Sequence, residues 1–293
     1  MNSLSSKIVL GTVQFGLTYG INNKTGIPNP NEFNELLKFA NHEGIDTLDT
    51  AYNYGISEQR IGKFLRTNKI EFRIISKAPS KSNSENINKY FNQSLNRLCT
   101  GQMYGYLLHD FNDYINDKKI LISLSTLKEK GKVGKIGFSL YHPEQLEKLL
   151  NDNIEFDLIQ LPYNLADRRF ETYFPELRER EIEVHTRSVF LQGLFFMNPD
   201  ELPTKLKPFK ELLQKLKELS KKNNRNIENI TLNFALQNEF INNVVLGIDN
   251  IKQLTMNLNE VNHKLNDEEI RLIDLEMKKI KIPQELLIPS NWK

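Results

Sequence analysis

Four side chains in this chain are of types that can move a proton: Asp49, Tyr54, Lys77 and His109. Each stands at or just after a short apolar run. Asp49 follows Thr47-Leu48, Tyr54 lies five residues on, Lys77 follows Ile74-Ile75-Ser76, and His109 follows Tyr106-Leu107-Leu108. The chemistry they suit is proton transfer to a carbonyl oxygen. A free tyrosine has a pKa of about 10, so it relays protons poorly near neutral pH unless a nearby cation favours its phenolate. Lys77 could supply that charge, and Asp49 could hold the lysine charged and oriented. His109 could donate a hydrogen bond to the developing alkoxide. None of the four can give up two electrons, so a reduction here requires a cofactor.

Polar groups at the C-terminal ends of successive strands converge only if the strands are parallel neighbours. The pattern agrees. Strands are predicted over Ile8–Gly11, Thr47–Asp49, Arg73–Lys77, Met103–His109, Ile136–Leu140, Leu158–Leu161, Glu183–Ser188 and Asn243–Gly247. Amphipathic segments separate them: Phe33, Leu36, Leu37 and Ala40 recur at helical spacing, as do Leu146, Leu149 and Leu150. Asn31 is expected to cap the first helix, and Pro143 to open a later one. Eight strand–helix repeats with no linker imply an α/β fold, a (β/α)8 TIM barrel in one domain over residues 1–293. Two additions are expected. One is a long loop after the seventh strand, from Phe190 to Pro208. The other is an extra helix over Asp267–Lys281, capped by Asn266, with Ile270, Ile273 and Met277 on one face.

Composition narrows the partners. The 293 residues carry 39 basic and 37 acidic side chains, a net charge of +2, which argues against a nucleic-acid partner. Lys221-Lys222 and Lys278-Lys279 read as solvated helix faces. No stretch reaches the roughly 18 apolar residues of a membrane span, and residues 1–7 hold no signal-peptide core. Cys99 is the one cysteine, so no intrachain disulfide forms, and its helical surroundings suggest a buried thiol. The expectation is a cytoplasmic protein. The five histidines are dispersed and no His or Cys pair has zinc-like spacing, so no metal site is expected.

The chain resembles the aldo-keto reductase family. The matching stretches, in family order, are Leu10-Gly11-Thr12, Asp49-Thr50-Ala51-Tyr52-Asn53-Tyr54-Gly55, Ser76-Lys77, Leu107-Leu108-His109, Gly134-Lys135-Ile136-Gly137-Phe138-Ser139, Gln160, and Val245-Leu246-Gly247 with Asn257-Leu258. The resemblance implies a nicotinamide-dependent carbonyl reductase or alcohol dehydrogenase acting on a small carbonyl or alcohol substrate. Tyr54 would be the general acid and base, Lys77 and Asp49 would tune it, and His109 would orient the carbonyl. A regulatory subunit that binds cofactor and turns over slowly is the alternative class.

The same resemblance implies an extended cofactor across the C-terminal rim. No Gly-x-Gly-x-x-Gly fingerprint follows the first strand, so a Rossmann site is not indicated. Gly11 and Thr12 would line the site. Ser139 and Gln160 match the side chains that hold the nicotinamide carboxamide, although the usual Asn after Ser139 is Leu140 here. An aromatic ring usually stacks on the nicotinamide from the end of the seventh strand; Arg187, beside Ser188, holds that place and could stack by its planar guanidinium. The adenosine end would lie at Gly247, Asp249, Gln253 and Asn257, near a helix N-terminus suited to anions. Many members carry a basic residue there for the 2′-phosphate of NADP. This chain has Asp249, with Lys252 just behind. The family favours NADP(H), which is the expectation; Asp249 pulls towards NAD(H), the alternative, unless it merely caps the helix.

Some residues carry blander expectations. Tyr52 should pack or line the pocket. His42 and His263 should be surface residues, His142 structural, and His185 outside the proton-transfer set. Only six residues precede Lys7, fewer than a barrel-closing hairpin needs, and the segment after Ile282 is short, so an open site is expected, which Trp292 could line. The stretch Val184 to Leu194 looks like members tied to sugar metabolism. A rim of Asn53, Tyr141, Asn164 and Arg187 would suit a sugar or sugar-like substrate.

Overall fold

The computed structural model describes residues 4–18 and 26–292. Eight strands close into a barrel in chain order, every neighbouring pair parallel. They are β1 (Ile8–Gly11), β2 (Thr47–Asp49), β3 (Arg73–Ala78), β4 (Met103–Leu108), β5 (Val133–Ser139), β6 (Leu158–Pro162), β7 (Glu183–Arg187) and β8 (Asn243–Gly247). The sequence-predicted boundaries of β1, β2 and β8 coincide with these, and the others differ by at most three residues.

Helices follow each strand and cover the barrel: α1 (Pro30–His42), α2 (Ser57–Asn68), α3 (Ile87–Leu98), α4 (Phe111–Asn116), α5 (Ile120–Glu129), α6 (Pro143–Asn151), α7 (Phe174–Glu179), α8 (Lys210–Asn223), α9 (Ile227–Leu236), α10 (Ile251–Asn262) and α11 (Asp267–Lys278). Their apolar stripes face the sheet. Phe33, Leu36, Leu37 and Ala40 of α1 are buried, as are Leu146, Leu149 and Leu150 of α6. At about 25 cal/mol per Å² of apolar surface removed from water, this strand–helix layer is the main source of cohesion. Inside the barrel a small second core joins Ile75, Leu107 and Leu158, with Tyr104 packed against it. The N-terminal end of the lumen is polar. There Glu183 accepts from Tyr104 Oη at 2.8 Å and pairs with Lys135 at 2.8 Å.

A 3₁₀ turn over Leu4–Lys7 precedes β1. Lys7 Nζ donates to the carbonyls of Leu236, Asn238 and Ile241 at 3.2, 3.4 and 2.9 Å, pinning β1 to the chain entering β8. The closing strand pair is thus tied at its base.

Several local expectations need correction. Asn29, not Asn31, caps α1: its side chain accepts from the Asn31 and Glu32 amides, and Glu32 accepts from the Asn29 amide. Pro30 lacks an N–H and presets φ, so it takes the first helical position and puts the cap at Asn29, two residues before the expected one. Cys99 is exposed, not buried. It ends α3 in the left-handed region at φ 51°, where the chain turns outward after buried Leu98. Trp292 does not line the cleft; its ring packs edge-on against Phe209 and its Nε1 donates to the Leu286 carbonyl at 2.7 Å. The long segment after β7 is not featureless. It holds 3₁₀ turns over Leu191–Phe196 and Thr204–Phe209. Asn266 caps α11 as expected, and Ile273 and Met277 are buried while Ile270 is half-buried.

Candidate active site

The C-terminal ends of β2, β3 and β4 bring the four proton-transfer candidates together. Lys77, at the end of β3, is fully buried, and its Nζ donates to both Asp49 oxygens at 2.6 and 2.8 Å and to the Thr50 carbonyl at 3.0 Å. All three hydrogens of an ammonium are thereby used. Burial lowers the pKa of Lys77, the Asp49 carboxylate opposes that, and the Arg187 guanidinium adds to the lowering. Asp49 Oδ2 also accepts from Gln160 Nε2 at 2.8 Å, so β6 braces the carboxylate from across the barrel. Lys77 Nζ lies 5.3 Å from the centre of the Tyr54 ring. The His109 ring stands edge-on to Tyr54, with centroids 5.9 Å apart. Burial first, then the charges of Lys77 and Arg187, push the His109 pKa down to about 3. Its imidazole is therefore neutral near pH 7 and offers one N–H donor.

Tyr54 is held by backbone packing that the sequence did not advertise. The Thr12 amide and hydroxyl both donate to the Asp49 carbonyl at 2.9 Å. Ser57, the first residue of α2, ties Thr12 to this segment: its Oγ lies 3.0 Å from the Thr12 carbonyl and 2.9 Å from the Thr12 hydroxyl. Gly16 and Gly55 then meet backbone to backbone. A Cβ on Gly16 would lie 1.8 Å from the Tyr54 carbonyl oxygen. Gly55 has φ +54°, and a Cβ there would lie 2.2 Å from the Gly16 carbonyl oxygen. Neither position tolerates a side chain without displacing the Tyr54 segment.

A cleft of about 620 Å³ opens over these groups. Asp49, Tyr54 and His109 form one end, with Ser139, Gln160, Arg187 and Ser188 beside them. Gly11 and Thr12 line its wall, and Gly247, Asp249, Gln253 and Asn257 line the far end. Lys77 alone among the sequence-predicted site residues does not reach the cleft surface, because Asp49 covers it. Of the expected rim, Asn53, Tyr141 and Arg187 line the cleft, whereas Asn164 does not. It is buried in a turn, where its Oδ1 accepts from the Ala166 and Asp167 amides and its Nδ2 donates to the Ser188 carbonyl. Tyr52 packs under the Arg97 guanidinium and donates to Gln93 at 2.7 Å. His42, His142 and His263 are exposed. His185 is buried inside the barrel, with its Nε2 3.4 Å from Glu183.

The far end differs from a simple helix cap. Asn250, not Asp249, caps α10, accepting from the Gln253 amide at 2.9 Å. Asp249 Oδ2 takes a 3.2 Å hydrogen bond from Gln253 Nε2, while its Oδ1 is buried without a partner. Glu228, in the first turn of α9, adds a second carboxylate to the lining. Sequence reasoning missed Glu228, because nothing in a helix-start glutamate marks it as facing a cleft formed by β8 and α10. It also missed Phe190 and Phe196 in the segment after β7, whose rings pack at 5.1 Å and line the cleft.

A nicotinamide dinucleotide fits this lining. Gln14 Oε1, Asp249 Oδ1 and Arg187 Nε are buried polar atoms with no partner inside the protein, and all three residues line the cleft. Unpaired polar atoms at a cleft wall are positions that a bound polar ligand can satisfy. Gly247 leaves the wall bare where a Cβ would lie 2.6 Å from Gln14 Nε2.

The family model described as "Aldo/keto reductase family" matches residues 7–275. The chain belongs to the aldo/keto reductase family. As an aldo/keto reductase it is an oxidoreductase that uses a nicotinamide cofactor. It is 24% identical over 258 residues to the uncharacterised oxidoreductase YqkF of Bacillus subtilis, covering 80% of this chain and 84% of that protein. Solved aldo-keto reductases share the fold. The holo form of AKR11C1 from Bacillus halodurans superposes with a TM-score of 0.75 at 22% identity, over 94% of this chain and 92% of that one. The glycerol dehydrogenase AKR11B4 of Gluconobacter oxydans gives a TM-score of 0.74 at 20% identity with the same coverage. No helix among the described residues is long and apolar enough to cross a membrane.

Proposed function

We propose that this aldo/keto reductase is a carbonyl reductase, and in reverse an alcohol dehydrogenase, in which Tyr54 is the general acid. The observation that carries this is the Lys77–Asp49 pair buried 5.3 Å beneath the Tyr54 ring, at the mouth of a cleft. The cofactor, when bound, supplies the hydride to the carbonyl carbon. Tyr54 Oη gives its proton to the carbonyl oxygen as negative charge develops there. Lys77 eases that loss, because a fixed positive charge favours the phenolate. Its own hydrogens are committed to Asp49 and Thr50, so its influence is exerted through charge. His109, held neutral, donates a hydrogen bond to the same oxygen. Phe190 and Phe196 add apolar surface to the cleft lining.

Ser139, Gln160 and Arg187 are assigned to the nicotinamide end of the cofactor, Gly11 and Thr12 to its flank, and Gly247, Asp249, Gln253 and Asn257 to the adenosine end. The family precedent favours NADP(H). The lining speaks for NAD(H): Asp249 and Glu228 are both carboxylates, no Lys or Arg among the described residues lines that end, and Asp249 Oδ1 stands free to accept from a ribose hydroxyl. We therefore assign NAD(H) as the preferred form. A cytoplasmic setting and a hydroxylated, sugar-like substrate belong to the same reading. The latter is supported by Asn53 and Tyr141 at the cleft and by glycerol as the named substrate of one structural neighbour.

Fluorescence titration with NADH and NADPH, followed by absorbance assays on simple aldehydes and sugars, tests this reading. Tight coenzyme binding with Tyr54-dependent cofactor oxidation supports it; binding with no turnover on any carbonyl contradicts it.

A further inference from the structure

Several arginines of this protein face carboxylates: Arg168 with Asp274, Arg169 with Asp167, Arg225 with Glu269; Arg60 instead donates to backbone carbonyls and lies over Phe33. Arg187 pairs with no carboxylate among the described residues. It ends β7 and lines the cleft beside the catalytic groups. Its guanidinium lies 4.1 Å over the Tyr141 ring, which fixes its plane. Nη2 donates to the Leu140 carbonyl at 2.9 Å, Nε is buried with no acceptor, and among the described residues no carboxylate pairs with it.

The neighbouring charges do not neutralise it. Asp49 is already matched by Lys77. His109 is neutral, and the presence of Arg187 helps keep it so. The reacting end of the cleft thus carries one uncompensated positive charge against a low-dielectric wall. Such a charge is costly to hold unless something offsets it, and a planar guanidinium fork matches a carboxylate.

We propose that Arg187 recognises an anionic group on the substrate, which is therefore a carbonyl compound carrying a carboxylate, of the class of short oxo acids and sugar acids. This rests on the reading of the cleft as a carbonyl-reducing site. A single carboxylate suits the site better than a phosphate monoester, because Arg187 is the one arginine or lysine lining the cleft among the described residues. Asn53 and Tyr141, on the same stretch of lining, are placed to meet hydroxyls of a sugar acid.

The test uses matched pairs: 4-oxobutanoate against butanal, and D-glucuronate against D-glucose. In the wild type, kcat/KM for the anionic member should exceed that of its neutral partner by about tenfold or more, the size of a charge-assisted hydrogen bond. Arg187→Met should remove that advantage, and Arg187→Lys, which keeps charge without the fork, should retain part of it. Coenzyme Kd is measured on each variant. A fall shared equally by neutral and anionic substrates, or one that tracks weakened coenzyme binding, overturns the proposal and leaves Arg187 serving the cofactor alone. A binding arm does not depend on turnover. Calorimetry on Tyr54→Phe protein loaded with NADH should show 4-oxobutanoate binding tighter than butanal, and the difference should vanish when Arg187→Met is added. No discrimination in binding sinks the anion site. Discrimination with undiminished turnover by Tyr54→Phe instead sinks the proposed catalytic role and leaves the anion site standing.

Discussion

In the proposed function Asp249 selects the coenzyme, and its replacement by Arg measures how strongly. In the structure this carboxylate lines the far end of the cleft with Glu228, keeps one oxygen without a partner, and does not cap α10. Two unit charges about 4 Å apart interact by about 1 kcal/mol in water and about 4 kcal/mol at an effective dielectric of 20. Asp249 is half-exposed, so the lower figure is the safer one. A phosphate group carries about 1.5 to 2 negative charges near pH 7, so its repulsion by Asp249 is worth at least about 1.5 kcal/mol. Asp249→Arg removes that repulsion and adds a donor fork suited to phosphate. The ratio of NADPH to NADH affinity should rise by at least about tenfold, which is roughly 1.4 kcal/mol. Asp249→Asn should give an intermediate shift. Isothermal titration of both coenzymes against the three proteins is the assay, repeated at high salt, where the shift should shrink. Equal ratios in wild type and Asp249→Arg would refute the placement of this residue at the ribose.

Three other perturbations address the catalytic end. Lys77→Met should slow alcohol oxidation by at least about a hundredfold, the range of a lost general-base function, and should move its pH–rate profile to higher pH; an unmoved profile contradicts tuning by Lys77. His109 protonates near pH 3 in the fold against about 6.5 when unfolded, so below about pH 6.5 the unfolded state binds more protons. The stability this group contributes is complete above that pH and is lost as pH falls towards 3, at up to about 1.4 kcal/mol per pH unit. His109→Gln should therefore flatten the loss of urea stability over that window, and a parallel decline would count against a buried neutral imidazole. Gly16→Ala places a methyl 1.8 Å from the Tyr54 carbonyl oxygen; strain of about 1–3 kcal/mol should lower both the melting temperature and kcat, measured by calorimetry and steady-state assay. Wild-type values for both would show that the Gly16–Gly55 contact does not position Tyr54.

The barrel was legible in the chain because short apolar runs recur eight times between amphipathic helical stretches. The convergence of Asp49, Lys77 and His109 was legible because they sit at or near the ends of neighbouring parallel strands. What was not legible is side-chain orientation within turns. Asn29 and Asn31 are equally good caps on paper, and only the φ fixed by Pro30 separates them. Asn164 reads as rim polarity but spends its amide on its own turn and on Ser188. Cys99 follows a buried helical stripe, yet the left-handed turn after Leu98 carries it outward. Glu228 and Asp249 come from distant segments, and their shared lining exists only once α9 and α10 pack around β8. The bare glycine contact at Gly16 and Gly55 is invisible in composition, since it depends on two loops meeting.

The central claim is that Tyr54 Oη delivers the proton. The most direct measurement is single-turnover reduction by Tyr54→Phe with the coenzyme prebound and its Kd determined on the same sample. The account predicts coenzyme binding within a few-fold of wild type and carbonyl reduction slower by about 10² to 10⁴-fold, because the hydroxyl acts on the substrate oxygen alone. Undiminished reduction by the Phe variant, with coenzyme bound as in the wild type, would contradict it.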